Sequence, residues 1–237
     1  MIELKNIYKI YRTNEIITTA IKEVSLIIEK GEFVSIMGPS GSGKSSLLNI
    51  IGLLDYADKG EYKLFNQYIY EIKKNNIENI RKNNISFIFQ QFNLINELNT
   101  YQNIELPLNY FNLKKYEKKK RTLVLLEELG LADFKNKYPY QLSGGQQQRI
   151  AVARALITNP QILLADEPTG NLDSKNGEKV INLLKNIQQE GTTVIMTTHN
   201  LAFAKQSSRI INLFDGEIVS DDFFNKVYLN NNIRLFK

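Results

Sequence analysis

Cysteine is absent from the 237-residue chain, so neither a disulfide framework nor a thiolate metal centre can form. No apolar run approaches the roughly 18 residues that a membrane-spanning helix needs. The opening Met1-Ile2-Glu3-Leu4-Lys5-Asn6 lacks the apolar core of a secretory signal. These absences point to the cytoplasm. There is no internal repeat, linker or low-complexity segment, and a hydrophobic content of 43% is enough to build one or two compact lobes. Acidic residues fall short of basic ones, 25 against 30, which leaves a net charge of +5. The densest basic run, Lys114-Lys115 with Lys118-Lys119-Lys120-Arg121, is interleaved with Tyr116 and Glu117 and leads into a helix. It has the character of a solvated helix face, so nucleic acid is not an expected partner, and proximity to an acidic membrane leaflet fits the charge equally well.

What the chain does have is Gly38-Pro39-Ser40-Gly41-Ser42-Gly43-Lys44-Ser45, a G-x-x-x-x-G-K-S phosphate-binding loop pattern. Before it lies Phe33-Val34-Ser35-Ile36-Met37, the length and apolarity of a buried parallel strand. After it, Leu47, Leu48, Ile50 and Ile51 recur at helical spacing. Glycines let backbone N–H groups close around an anion, and a helix starting near Lys44 points its positive end at the same place. Lys44 is then expected to reach the β- and γ-phosphates of a nucleotide, and the Ser45 hydroxyl to ligate Mg²⁺. Ser46 is a further candidate phosphate contact.

Along the chain, Ile2 to Ile7 alternates as a half-exposed strand. Ile16-Ile17-Thr18-Thr19-Ala20-Ile21 and Val24-Ser25-Leu26-Ile27-Ile28 are expected as two more, with Tyr11 in a loop. Lys59-Gly60-Glu61 is expected to break the chain before a short strand at Tyr62 to Phe65. Residues 71–84 suggest a loop and a short helix. Ile85-Ser86-Phe87-Ile88-Phe89 is a strand ending at Gln90-Gln91, the place where α/β proteins put active-site groups. From 91 to 140 the pattern is helical, with a helix over 115–129 closed by Gly130. Strands resume at Ile162 and Thr193, with a helix over 175–189 between them. Asp215-Gly216 turns a hairpin, and Phe223, Phe224, Val227 and Tyr228 suggest a docking tail.

Asp166 ends the apolar stretch from Ile162, where a carboxylate can hold Mg²⁺ through water. Glu167 beside it is placed to polarise an attacking water as general base, although alone the pair could equally cap a turn. His199, the only histidine, follows a strand expected beside that of Asp166 and would hydrogen-bond the γ-phosphate. A second anion site is expected at Leu142-Ser143-Gly144-Gly145-Gln146, where Ser143 caps a helix. One ATP can use both helix starts only if they come from two copies arranged head to tail.

The stretch Leu142-Ser143-Gly144-Gly145-Gln146 resembles the signature of ATP-binding cassette proteins. About residues 1–220 resemble the ATP-binding subunit of an ABC transporter, and Phe89-Gln90-Gln91-Phe92-Asn93-Leu94, Leu142 to Arg149 and Leu164 to Ser174 resemble its lipoprotein-release and macrolide-export group. The resemblance implies an α/β fold. Its P-loop NTPase (RecA-like) core, 1–90 and 141–237, carries an N-terminal antiparallel β-subdomain, and an α-helical subdomain is inserted at 91–140, all within one ATPase domain. It also implies roles: Tyr11 stacks on adenine, Gln90 senses Mg²⁺ and the membrane partner, Asp173 lies in the loop that crosses the dimer, and His199 is the switch histidine. The implied cofactors are ATP and Mg²⁺. The implied partners are a second copy and a transmembrane permease on a separate chain, which would hold the protein at the inner face of the membrane. A soluble cassette acting on ribosomes or DNA, and an ATP-binding regulatory subunit without turnover, are the rival readings. The cargo is not specified.

Overall fold

The computed structural model describes residues 1–12 and 17–221. Ile16 and the expected docking tail with Phe223, Phe224, Val227 and Tyr228 lie outside the described residues. Two sheets organise the described residues. The first is antiparallel, in the order β2-β1-β4-β5, from β1 (Ile2–Arg12), β2 (Ile17–Ile28), β4 (Lys59–Leu64) and β5 (Gln67–Tyr68). The second has the order β10-β9-β3-β8-β7-β6. Its strands are β3 (Phe33–Met37), β6 (Ile85–Ile88), β7 (Ile162–Asp166), β8 (Thr193–Thr198), β9 (Arg209–Phe214) and β10 (Glu217–Asp221). Five of these run parallel, and β10 closes the edge as an antiparallel hairpin on β9. The central strands β3, β7 and β8 are buried along nearly their whole length because helices cover the sheet; β3 and β7 are mostly apolar, and β8 is half threonine.

Helix α1 (Lys44–Ile51) lies between the two sheets. Leu47, Leu48, Ile50 and Ile51 share one core with Ile2, Leu4 and Leu26 of the antiparallel sheet and Ile36 and Leu164 of the parallel one. On the other face, Val180, Ile181 and Leu184 of α6 (Ser174–Gln189) pack with Leu163, Val194 and Met196. The remaining helices are α2 (Lys74–Asn84), α3 (Thr100–Glu105), α4 (Lys115–Glu128), α5 (Gly144–Leu156) and α7 (Leu201–Ala204). A third core joins Ile104 of α3 and Leu126 of α4 to Ile150 and Ala153 of α5. Val152 and Ala155 of α5 face the second core instead, so α5 ties the inserted helices to the sheet.

Three local expectations are corrected. Tyr11 is in strand rather than loop, paired with Thr18 of β2. The stretches expected as two strands around residue 22 form the single strand β2, because irregular register opposite Ile7 and Lys9, with Glu23 at φ 52°, absorbs the polar residues without breaking the ladder. Lys59-Gly60-Glu61 starts β4 instead of breaking the chain. Gly60 sits at φ 99°, where a β-carbon would meet the Asn6 carbonyl oxygen at 2.4 Å, so the glycine marks a close strand approach. The turn helix α7, capped by Asn200 through the Ala202 N–H at 2.9 Å, carries too few apolar residues to be foreseen.

Candidate active site

The carboxyl ends of β3, β7 and β8 converge on one cavity of about 1040 Å³, whose walls include Tyr11, Lys44, Ser45, Gln90, Glu167 and His199. Register explains the convergence: Met37 pairs with Thr198, and Asp166 with Thr197, so the residues that follow each strand emerge side by side. The expected phosphate loop, Gly38, Pro39, Ser40, Gly41, Ser42 and Gly43, connects β3 to α1. Gly38 has no room for a side chain, since a β-carbon would lie 2.1 Å from the Leu213 carbonyl oxygen. Gly43 stands at φ 100° at the start of α1 and offers no side chain to cap it, which leaves the helix's first N–H groups available to an anion.

Lys44 is buried at 5% exposure and folds back over the loop, donating to the carbonyls of Gly38 (2.9 Å) and Pro39 (2.8 Å). Its Nζ is also 3.8 Å from Glu167 Oε1. A buried ammonium with only backbone carbonyls and one carboxylate about it suits a polyphosphate well. Ser45 Oγ donates to Asp166 Oδ1 at 3.1 Å, and Ser46 lines the same wall. The Thr197 hydroxyl, unremarked in the sequence, donates to Asp166 Oδ1 at 2.5 Å and accepts from the Glu167 N–H at 2.9 Å. It holds the Asp166 carboxylate and the backbone amide of Glu167, and only the β7–β8 register reveals it.

Glu167 adopts φ 44°, a left-handed conformation that is rare for a residue with a side chain. The turn aims its carboxylate between Lys44 and His199, whose Nδ1 is 3.3 Å from Oε2. Gln90 follows β6; its carbonyl accepts from Asn171 Nδ2 at 2.9 Å, and its side chain packs on Gly170. The oxygen groups that a cation could meet at this end are the Ser45 hydroxyl and the Asp166 carboxylate, with Gln90 on the same cavity wall. Among the described residues no group of three or more His, Cys, Asp or Glu could hold a metal ion. One carboxylate and a hydroxyl beside a phosphate cradle fit Mg²⁺, which keeps its waters and takes its other ligands from phosphate oxygens.

Ser143, Gly144, Gly145, Gln146 and Asp173 do not line this cavity. Ser143 caps α5 as expected, in a reciprocal box with Gln146: the Gln146 N–H donates to Ser143 Oγ at 3.3 Å and the Ser143 N–H to Gln146 Oε1 at 2.8 Å. Asp173 caps α6, accepting from the backbone N–H (2.8 Å) and Nδ2 (2.7 Å) of Asn176, and these bonds hold its carboxyl below the usual range. Positions 144 and 171–172 are neighbours, since a β-carbon on Gly144 would sit 3.6 Å from Leu172 Cδ2. The chain therefore presents a second helix start and its bordering loop on a surface separate from the cavity.

The family model described as ABC transporter matches residues 21–170, more than half of the chain. An uncharacterized ABC transporter ATP-binding protein of Methanocaldococcus jannaschii, MJ1508, is 52% identical over 92% of this chain and 98% of its own length. The macrolide export ATP-binding/permease protein MacB of Aggregatibacter actinomycetemcomitans is 44% identical over 93% of the chain, which spans 34% of that longer protein. Among solved structures, the post-hydrolysis dimer of the cassette MJ0796 bound to ADP and Pi superposes with a TM-score of 0.86 at 48% identity, covering 93% of this chain and 97% of that one.

Proposed function

The chain belongs to the ABC transporter family, and on that premise we propose that it is the ATP-binding and ATP-hydrolysing subunit of a transporter whose permease is a separate chain. The carrying observation is the meeting of three groups at one sheet end: the Lys44 loop, the Ser45–Asp166 pair, and a Glu167 flanked by Lys44 and His199. Lys44 and the free N–H groups of α1 hold the phosphates, and the Tyr11 ring stacks on adenine. Ser45, Asp166 and Gln90 would hold Mg²⁺, which would neutralise charge on the phosphates. Glu167 takes the proton of the attacking water, and His199, touching Glu167 and open to the cavity, keeps the carboxylate and the γ-phosphate in line.

The second helix start, from Ser143 to Gln146 with the Asp173 loop, lies outside the cavity because it serves the nucleotide of a second copy. Two chains close head to tail over two Mg·ATP, as the dimeric form of MJ0796 supports, and hydrolysis reopens them. The motion passes to the permease through the helical lobe, expected at 91–140, and the loop of Gln90. Among the described residues no helix is long and apolar enough to cross a membrane, and the attachment we propose, to the membrane's inner face, is through the permease. The likeness to a macrolide export protein favours export, and the cargo we propose is lipoprotein, peptide or antimicrobial, moved by passage or by mechanical transmission. Phosphate release by Lys44→Ala tests the reading: the variant should bind ATP weakly and hydrolyse none, and undiminished turnover would mean that the loop is not the phosphate site.

A further inference from the structure

Tyr11 carries more contacts than a stacking ring requires. It stands at the end of β1, 40% exposed, and its hydroxyl oxygen is 3.1 Å from Asp55 Oδ2 and 3.3 Å from Ser46 Oγ. A phenol has one proton. The carboxylate is the stronger and nearer acceptor and takes it, while the Ser46 hydroxyl can turn to donate to the phenol oxygen. Asp55 is itself fixed: its Oδ1 accepts from Lys9 Nζ at 2.6 Å and from the Tyr56 N–H at 2.7 Å. Lys9 donates further to the Tyr56 carbonyl at 2.8 Å, is 8% exposed, and holds its ammonium 5.2 Å from the centroid of the Tyr11 ring. Burial pushes the Asp55 carboxyl up, but the bonds from Lys9, the Tyr56 amide and Tyr11, with the Lys9 charge, hold it below the usual range. It stays a carboxylate whenever a nucleotide is bound near neutral pH.

We propose that Asp55 and Lys9 are positioning residues for nucleotide base recognition, clamping the Tyr11 ring at a fixed angle over the cavity. The clamp also ties the ring to both ends of the phosphate-loop helix. Ser46 lies in the first turn of α1 and Asp55 just beyond its last turn, so the base platform and the phosphate cradle are set by one rigid element. A tyrosine freed of the bond would keep its aromatic face but lose its orientation, and ordering it again would be charged against each binding event. The proposal rests on the adenine-stacking reading of Tyr11, and it differs from that reading in what it requires of the hydroxyl.

Calorimetric Kd values for ATP and for tripolyphosphate, which has no base, separate the two. Tyr11→Ala tests the stacking reading: it should weaken ATP by about 5- to 150-fold, the range that stacking one base commands, and leave tripolyphosphate unchanged. Equal losses on both ligands would remove the platform, and the clamp with it. Tyr11→Phe keeps the ring and deletes only the hydroxyl. With the clamp, it weakens ATP by about three- to tenfold, as does Asp55→Ala, and the double variant is no weaker than either alone because both cut the same bond. Tripolyphosphate binding should not move in any of the three, which a merely structural role for Asp55 would not predict. A Tyr11→Phe variant that binds ATP as tightly as the parent would overturn the proposal while leaving the stacking reading intact. Losses that multiply in the double variant would overturn it too. Should Asp55→Ala fail to fold, Tyr11→Phe alone still decides.

Discussion

Replacing Glu167 by glutamine should convert a short-lived dimer into a stable one. The exchange is conservative in shape, and glutamine is no worse suited than glutamate to the φ of 44° at this position. Lys44 keeps its bonds to the Gly38 and Pro39 carbonyls, so the phosphate loop stays seated when the carboxylate 3.8 Å from its ammonium is removed. Two effects then add. Losing a general base slows the chemical step by about 10²–10⁴, or roughly 3–5 kcal/mol of barrier. At a turnover of about 1 s⁻¹, the life of the closed state rises from about a second to about 10²–10⁴ s. In addition, a carboxylate about 5 Å from a phosphate charge repels it by about 3 kcal/mol at an effective dielectric of 20, and the substitution lifts that repulsion in both sites. The variant should elute from a size-exclusion column as a dimer with ATP and as a monomer with ADP. A Glu167→Gln protein that remains monomeric in saturating ATP and releases phosphate at the parent rate would refute both the base assignment and the head-to-tail closure.

Ser143→Arg should leave the monomer's fold and ATP affinity intact yet stop hydrolysis, since Ser143 lies outside its own chain's cavity; full phosphate release would remove the composite site. Gly38→Ala should destabilise the chain by about 1–3 kcal/mol in urea unfolding, because its β-carbon would overlap the Leu213 carbonyl at 2.1 Å; an unchanged midpoint would show that the loop yields freely. Asp55 has its carboxyl held below the ordinary value, so its contribution to stability is present above the unfolded-state pKa and is lost as pH falls through the lower folded-state value. Acid unfolding of Asp55→Asn should therefore show a shallower loss of stability below about pH 4 than the parent, and identical acid limbs would contradict the assignment.

Much of the site was legible because its chemistry is local in sequence. A loop that wraps a phosphate needs glycines closely spaced between a strand and a helix, so Gly38 to Ser45 announces itself. Asp166-Glu167 gains meaning from the apolar run before it, since a buried parallel strand must deliver whatever follows it to the sheet's edge. Residues whose roles depend on pairing across the sheet were not legible in the same way. Thr197 is one more β-branched residue in a buried strand until the register sets it opposite Asp166 and under the Glu167 amide. Asp55 is an ordinary polar residue after a helix until Lys9 and Tyr11 arrive from β1, a strand 44 residues earlier at the tyrosine. The misplacement of Tyr11 in a loop has the same origin. Polar residues around 12–16 suggest a turn, whereas the ladder with β2 and the irregular register around Ile7 and Lys9 carry the strand through to Arg12. Strand continuity there is decided by pairing and by the core beneath Ile7 and Ile21, neither of which a window of neighbouring residues contains. The same continuity has a functional consequence. On the stacking reading proposed above, a tyrosine on a loop would have to be ordered by the nucleotide, whereas one fixed at a strand end and bonded to α1 would meet the base already in place, and the binding energy that ordering would consume would remain available for closing the dimer.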